Sequence, residues 1–327
     1  MTAQTAIQPP TATPASTGSP ALPGRSRLVR AELLKIFTTN TWWLFTIYAL
    51  VATGLALLSN VINANSQLNA ATHVPAPNFD ALPPDQRPPA DVQAQMLEQY
   101  REQTNVPLIL ARSAANVYTS GQFFGLLLIM IIGVLVVTNE FQHQTATATF
   151  LTTPQRTVVM VAKLAAAVLL AGFYWLISTA FGIGVGALNF SVQGYGLALT
   201  DSTVVRAVAM NLLAYVLLAV LGVGLGVLIR SQLGATLTAC ALYLLTLPAG
   251  LLLFGFIRTY VVHDDRVWNF AVSIPGIAAM VMVSAEPFSI GGNAQGVQWW
   301  IGALVLLVWA VLSGGIGTLI TRRRDIS

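Results

Sequence analysis

The stretch TNEFQHQTATATFLTTPQRTVVMVAK, residues 138–163, separates two long apolar runs and decides how the rest of the chain is interpreted. It follows the apolar run 117–137 and ends where the run 164–188 begins. Neighbouring helices are usually joined by about two to eight residues, whereas this stretch has 26. We therefore predict that it forms a docking surface and not a simple turn.

The first half of this stretch has the spacing of an amphipathic helix that begins at Glu140. The residues that share one helical face are Phe141, Thr145, Ala148 and Leu151. Pro154 disfavours continuation of the helix. We predict a short helix that lies across the membrane surface. An ordinary amphipathic connector that covers the helix ends is the alternative interpretation.

The same residues carry a resemblance to a known family. NEFQHQTATATFLTTPQR, followed by VVMVAKL, resembles the signature of type-2 ABC exporter permeases, and LVRAELLKIFTTNTWWLF resembles the beginning of their first span. The resemblance covers the chain from about Leu28 onward. In that family the 138–163 loop includes a coupling helix that touches the nucleotide-binding subunit. The coupling residues that the resemblance implies are Glu140, Phe141, Thr145, Ala148, Leu151, Pro154 and Arg156.

The composition is that of a membrane protein. Hydrophobic residues make up 55% of the 327 residues and charged residues 9%, against about 25% charged residues in soluble domains. The formal net charge is +4, but the basic residues lie at the ends of apolar runs and in the tails, which favours lipid headgroups over nucleic acid as their partner. The single cysteine, Cys240, excludes an internal disulfide and a cysteine metal cluster.

Six stretches of the chain are free of charged side chains and are 20 to 25 residues long. About 20 residues at 1.5 Å rise cross the roughly 30 Å hydrocarbon layer. The stretches are 43–62, 117–137, 164–188, 207–229, 233–257 and 297–320. We therefore predict an all-α polytopic membrane protein with six transmembrane helices.

The amino-terminal part divides into a tail and an interfacial helix. Residues 1–24 carry no charge and are rich in Pro, Thr and Ala, which predicts a disordered cytoplasmic tail before a transmembrane domain at 25–327. The residues that lie along one side of the next helix are Leu28, Val29, Glu32, Leu33 and Ile36, with Arg30 and Lys35 elsewhere. This pattern predicts an interfacial helix. It is either a basic membrane anchor or, by resemblance, a connecting helix that packs against the coupling region.

The distribution of Lys and Arg predicts the orientation. Placing the amino terminus inside gives ten cytoplasmic basic residues against six outside. The positive-inside rule then puts both termini in the cytoplasm and the protein in the cell membrane, with 63–116 as an external loop. Residues 271–285 are apolar but contain Pro275 and Gly276. For the segment 271–290 we therefore predict a re-entrant or interfacial path and not a seventh span.

Several smaller features carry predictions of their own. In the external loop, Asp91 is a candidate cap for a short helix that forms a lid against the span ends. Pro248 predicts a kink in the fifth span. Two glycine clusters favour close helix packing, which we assign to contacts within one subunit. They are Gly182, Gly184 and Gly186 in the third span, and Gly222, Gly224 and Gly226 in the fourth.

The sequence argues against chemistry catalysed by this chain alone. Its three histidines lie far apart, and neither HExxH nor GxSxG occurs, so we predict no enzyme activity and no metal site. The two lysines, Lys35 and Lys163, follow Leu34 and Ala162, so neither ends a phosphate-binding loop. The six apolar stretches contain no ionisable side chain for ion coupling except Cys240 and tyrosines. An energy source in a separate subunit is the remaining option.

The resemblance implies the permease subunit of an ATP-driven exporter. Two copies of an ABC ATPase would hold ATP and Mg, and a second permease subunit would complete a homodimer or related heterodimer. A non-transporting membrane anchor or sensor that recruits a cytosolic partner through 138–163 is the alternative. Charge-free spans predict an apolar or amphiphilic cargo, such as a drug, an antibiotic or a lipid. The pathway residues implied by the family are Gln122, Phe123, Leu126, Met130, Thr236, Tyr243 and Thr246.

Overall fold

The protein is an all-α polytopic membrane protein. A computed structural model describes residues 25–39, 41–83, 86–142, 156–229, 231–289 and 296–323. Most of these residues are helical, and no extended strand occurs among them beyond one isolated bridge between Phe288 and Val297. In the described part of the chain, six helices are long and apolar enough to cross a membrane. The predicted fold class is thus confirmed.

The helices are numbered here in chain order. They are α1 (Arg25–Phe37), α2 (Thr41–His73), α3 (Ala90–Gln103), α4 (Val106–Tyr118), α5 (Gln122–Gln142), α6 (Arg156–Val192), α7 (Ser202–Leu228), α8 (Gln232–Cys240), α9 (Thr246–Ile257), α10 (Pro275–Val283) and α11 (Trp299–Arg323). Short 3-10 segments lie at Phe79–Ala81 and Asp265–Ser273. The spans are formed by α2, by α4 with α5, by α6, by α7, by α8 with α9, and by α11.

The helices extend beyond the apolar runs that predict them. The first span continues to His73, and the third begins at Arg156 instead of residue 164. Hydropathy identifies only the part of a helix that lies in the hydrocarbon layer, whereas polar residues continue the helix into the headgroup region. Glu140 and Phe141 consequently belong to the last turn of α5, so the prediction that Glu140 begins a separate helix is wrong. Thr145, Ala148, Leu151 and Pro154 lie outside the described residues.

Close contact between α5 and α7 forms the centre of the bundle. A Cβ atom on Gly222 would lie 2.1 Å from the carbonyl oxygen of Met130, and one on Gly226 would lie 2.9 Å from that of Val134. From the other side, a Cβ on Gly133 would lie 2.4 Å from the carbonyl oxygen of Ala219. Only glycine permits backbones to approach this closely. These two helices therefore pack along a seam of small residues.

Other glycines of the two clusters pack against further helices of the same chain. Gly182 and Gly186 of α6 face Tyr118 of α4, and Gly224 of α7 faces Ser313 of α11. A Cβ on Gly184, by contrast, would meet nothing within 4 Å. The prediction that the clusters serve packing within one subunit is confirmed for all of them except Gly184.

The fifth span is irregular just before Pro248. A π-helical turn at Ala241–Leu245 joins α8 to α9, and the amide of Thr246 donates to the carbonyl of Ala241. Proline has no amide hydrogen and its ring displaces the carbonyl four residues earlier, so a wider turn accommodates the shifted register. A second π-helical turn, Arg258–Val262, ends the span. The kink predicted from Pro248 stays a prediction.

Between the fifth and sixth spans the chain bends sharply. The 3-10 segment Asp265–Ser273 and the buried helix α10 meet at 101°. Such a bend is typical of a broken span or a re-entrant loop. The re-entrant path predicted for 271–290 stays a prediction.

The external helix α3 makes little contact with the rest of the chain. It has no buried residue, which leaves the predicted lid without packing against the span ends. Its amino-terminal cap position is Pro89, which makes no side-chain hydrogen bond, while Asp91 lies inside the first turn. The prediction that Asp91 caps this helix is therefore wrong.

The glycine seam generates a stability prediction. Gly222→Ala should lower the melting temperature of the detergent-solubilised protein, because the added methyl collides with backbone and overpacking costs about 1 to 3 kcal/mol. Gly184→Ala is the matched control and should leave the melting temperature unchanged or raise it slightly, since its site is open. Equal melting temperatures for the two variants would contradict the seam.

Candidate functional site: a buried four-charge cluster

Four charged side chains meet where α1 crosses the end of α5 and the beginning of α6. They are Glu32 and Lys35 of α1, Glu140 of α5 and Lys163 of α6, here named the four-charge cluster. The Lys35 ammonium lies 2.7 Å from Glu32 Oε1 and 2.6 Å from Glu140 Oε1. The Lys163 ammonium lies 3.1 Å from Glu32 Oε2 and 3.0 Å from Glu140 Oε1. Each carboxylate thus contacts both ammonium groups.

The amphipathic pattern of α1 places its half of the cluster. Leu33 and Ile36 pack against the hydrophobic core, and Glu32 is buried on the same side of the helix. Lys35 lies three residues after Glu32, where helical spacing brings the two side chains together. The predicted packing face of α1 is confirmed. Arg30 is exposed and makes no ion pair in the described part of the chain.

Lys163 is the most deeply buried charge of the cluster. Its side chain is 3% exposed, compared with 47% for Lys35. Besides the two carboxylates, its ammonium donates a hydrogen bond of 3.1 Å to the carbonyl oxygen of Val136. An ammonium group has three donors, so three acceptors are at hand for three hydrogens. The cluster is thereby both charge-neutral and hydrogen-bonded, which buried ions require.

The surroundings of Lys35 keep its side chain charged. Burial acts to lower the pKa of the Lys35 ammonium, but the hydrogen bonds to Glu140 and Glu32 and their negative charges together raise it above the ordinary lysine value. A raised pKa means that the contacts stabilise the folded protein throughout the neutral range and are lost only as the pH rises through that elevated pKa. At physiological pH the Lys35 side chain therefore stays charged.

The sequence anticipated part of this arrangement. A carboxylate at Glu140, beside the basic helix α1, predicts an ion pair with Arg30 or Lys35, and the structure pairs Glu140 with Lys35 and not with Arg30. Glu32 was placed correctly on α1, but its role as a second carboxylate was not expected. Lys163 was interpreted as a loop charge because it precedes an apolar run. The available signal was that the residues three and four positions away from Lys163 on both sides are apolar, which places it on an apolar helix face; they are Val159, Met160, Ala166 and Ala167.

The remaining coupling residues are only partly described. Phe141 is exposed at the end of α5. Arg156 is the first residue of α6. The four others lie outside the described residues, so their proposed contact with a partner stays a prediction.

The predicted pathway residues lie largely inside the chain. Leu126, Met130 and Tyr243 are fully buried, and the rings of Phe123 and Tyr243 have centroids 5.5 Å apart. Gln122 donates a 2.8 Å hydrogen bond to the carbonyl of Ala279, and the Thr246 hydroxyl donates to the carbonyl of Leu242. Thr236 is half-buried. The structure brings the second and fifth spans together, while a pathway along these residues stays a prediction.

Comparison with known proteins adds no assignment. No model of a protein family matches the chain, and no curated protein matches it. Among the residues that the structure describes, no group of three His, Cys, Asp or Glu side chains could hold a metal ion. The four-charge cluster is the candidate functional site because it brings together charged side chains from three helices.

The different exposure of the two lysines can be tested by chemical labelling. An amine-reactive N-hydroxysuccinimide ester at mildly alkaline pH should leave Lys163 unmodified and label Lys35 slowly, because the first is buried and the second is held as an ammonium by its raised pKa. Peptide mass spectrometry measures both rates. Denatured protein is the control, in which both lysines should react at similar rates. Rapid labelling of Lys163 in the folded protein would contradict the cluster.

Proposed function

We propose that this chain is the membrane-spanning permease subunit of an ATP-driven exporter and works with two ABC ATPase subunits. The observation that supports the proposal is the position of the four-charge cluster. It joins α1 to both helices that border residues 143–155, the segment in which the resemblance to type-2 ABC exporter permeases is concentrated. A partner that binds this segment acts directly on helices that the cluster holds together.

The cluster gives such a partner a mechanical connection to the spans. Separating one member of a buried ion pair from its partner costs about 3 to 5 kcal/mol, so α1, the end of α5 and the beginning of α6 move as one unit. Helix α5 in turn packs closely on α7 through the glycine seam. A displacement at the loop is thus passed from α5 to α7, and close packing favours transmission over local deformation.

The proposed orientation puts the cluster on the cytoplasmic side. The end of α5 and the beginning of α8 also meet there, where Gln232 donates a 3.2 Å hydrogen bond to Asn139. At the other end of the bundle, the side-chain amide of Asn189 in α6 donates a 2.9 Å hydrogen bond to the side-chain oxygen of Asn65 in α2. Both termini then lie in the cytoplasm of a cell whose plasma membrane holds the protein, in keeping with the ten-to-six distribution of basic residues.

The proposed cargo is an apolar or amphiphilic molecule. Ionisable side chains of the spans lie near their ends, as with Glu140, Lys163 and Arg206, while the middle of each span is without Asp, Glu, Lys or Arg. A charged solute would cross this region without a partner, at a cost of several kcal/mol. Transport also involves a second permease subunit, the same chain or a related one. ATP and Mg are bound by the ATPase subunits.

The test uses the wild-type chain and two variants reconstituted with an ABC ATPase in proteoliposomes. Glu140→Gln removes one charge of the cluster and should reduce export of a fluorescent amphiphile about tenfold while ATP hydrolysis continues, because allosteric couplings of about 1 to 3 kcal/mol correspond to such factors. Glu98→Gln, on the exposed helix α3, is the control and should transport normally. Only variants that elute as the wild type in size-exclusion chromatography are compared.

Two results would contradict the proposal. Unchanged export by the Glu140→Gln variant would contradict the proposal that the cluster couples ATP hydrolysis to transport. A wild-type chain that binds an ATPase or another cytosolic protein but neither alters ATP turnover nor moves any amphiphile would instead favour the membrane anchor or sensor.

A further inference from the structure

An apolar groove runs between α7 and α11 on the outer surface of the bundle. Its volume is about 370 Å³, within the range of ligand sites. The groove is lined by Leu213, Leu217, Trp300, Ala303, Leu304 and Leu307. No lining side chain is charged, so the groove suits a hydrocarbon chain. It lies between the middle of α7 and the first third of α11. Helix α7 begins at the end of the bundle remote from the four-charge cluster, because Gly222 and Gly226 pack beside Met130 and Val134 on the way to Glu140.

Arg206 lies on the same face of α7 as the two lining leucines, nearer to the beginning of the helix. It precedes Leu213 by seven residues and Leu217 by eleven, so all three lie on one face of α7, with Arg206 about 10 Å above Leu213. Its guanidinium carbon is 5.5 Å from the ring centroid of Trp299. The next residue, Trp300, is half-exposed. Paired tryptophans at the start of a span mark the level of lipid headgroups.

The guanidinium of Arg206 is held in place but keeps unused donors. One terminal nitrogen, Nη2, donates to the carbonyl oxygens of Ser284 and Ala285 at 3.2 and 3.1 Å. In the described part of the chain, no carboxylate lies within ion-pair distance of Arg206. The acidic residue next to those carbonyls, Glu286, is paired with Arg112 at 3.0 Å. Nε and Nη1 of Arg206 each keep a donor for an anion, and hydrogen bonds to a charged group are about twice as strong as those between neutral groups.

We propose that Arg206 and the groove form a binding site for a membrane phospholipid with an anionic headgroup. The guanidinium binds the headgroup phosphate, and one acyl chain lies along Leu213 and Leu217 against α11. Two independent features point to this occupant: the charge complementarity at the top and the apolar lining below. The site is separate from the proposed coupling function.

The experiment titrates phosphatidylglycerol into the delipidated, detergent-solubilised full chain and counts bound lipids by native mass spectrometry. Phosphatidylcholine is the comparison lipid. Arg206→Gln should weaken phosphatidylglycerol binding about tenfold, the effect of losing a hydrogen-bonded charge. Ala303→Trp fills the groove without changing any charge and should also weaken binding. Arg258→Gln removes a charge from the end of the fifth span, away from the groove, and should bind like the wild type.

Different outcomes separate this site from ordinary lipid association. Equal retention of phosphatidylglycerol and phosphatidylcholine by the wild type would overturn the anionic preference. Unchanged binding by Arg206→Gln or by Ala303→Trp would overturn the site itself, and the second variant keeps the test valid if the first does not fold. Displacement of bound lipid by millimolar inorganic phosphate alone would show that the acyl groove contributes nothing.

Discussion

Burying one ammonium and two carboxylate groups at a helix crossing, with a second, half-exposed ammonium at its edge, is the constraint on which the rest of this structure depends. A buried ion without a partner is unstable, so Glu32, Lys35, Glu140 and Lys163 require α1, α5 and α6 to be in register. An amphipathic helix at a membrane surface is usually free to slide and rotate in the plane of the interface. Here the charges fix α1 to two spans. The loop that carries the family resemblance is bordered by the same two spans.

The middle of the bundle is organised by packing instead of charge. Lipid is as apolar as leucine, so helices in a membrane associate through close contact and hydrogen bonds. Gly133 and Gly222 provide that contact between α5 and α7. At the far end, single polar contacts such as Arg206 with the carbonyls of Ser284 and Ala285 hold the segment around α10. Helix α5 is the common element, since it carries a cluster carboxylate at one end and the glycine seam in its centre.

The sequence predicted the number of spans well because hydropathy measures the property that a bilayer selects. It predicted their ends poorly, since polar residues such as those before His73 continue a helix without leaving a hydropathy signal. The side of α1 that packs followed from spacing, and a pair between Glu140 and either Arg30 or Lys35 followed from the family resemblance and from charge. Lys163 was missed because its burial depends on how α1 crosses α6, a tertiary relation that no local pattern encodes. The burial of Leu126, Met130 and Tyr243 likewise depends on which helices surround them.

The central claim is that buried charges couple the amino-terminal helix to the spans. A double-mutant cycle between Glu32 of α1 and Lys163 of α6 tests it most directly. The free energy of unfolding in micelles is measured for the wild type, Glu32→Gln, Lys163→Met and the double variant. The account predicts a coupling free energy of about 1 to 3 kcal/mol. The double variant should lose less unfolding free energy than the two single variants lose together. Additivity within about 0.5 kcal/mol would contradict it, because groups without mutual contact behave in that way.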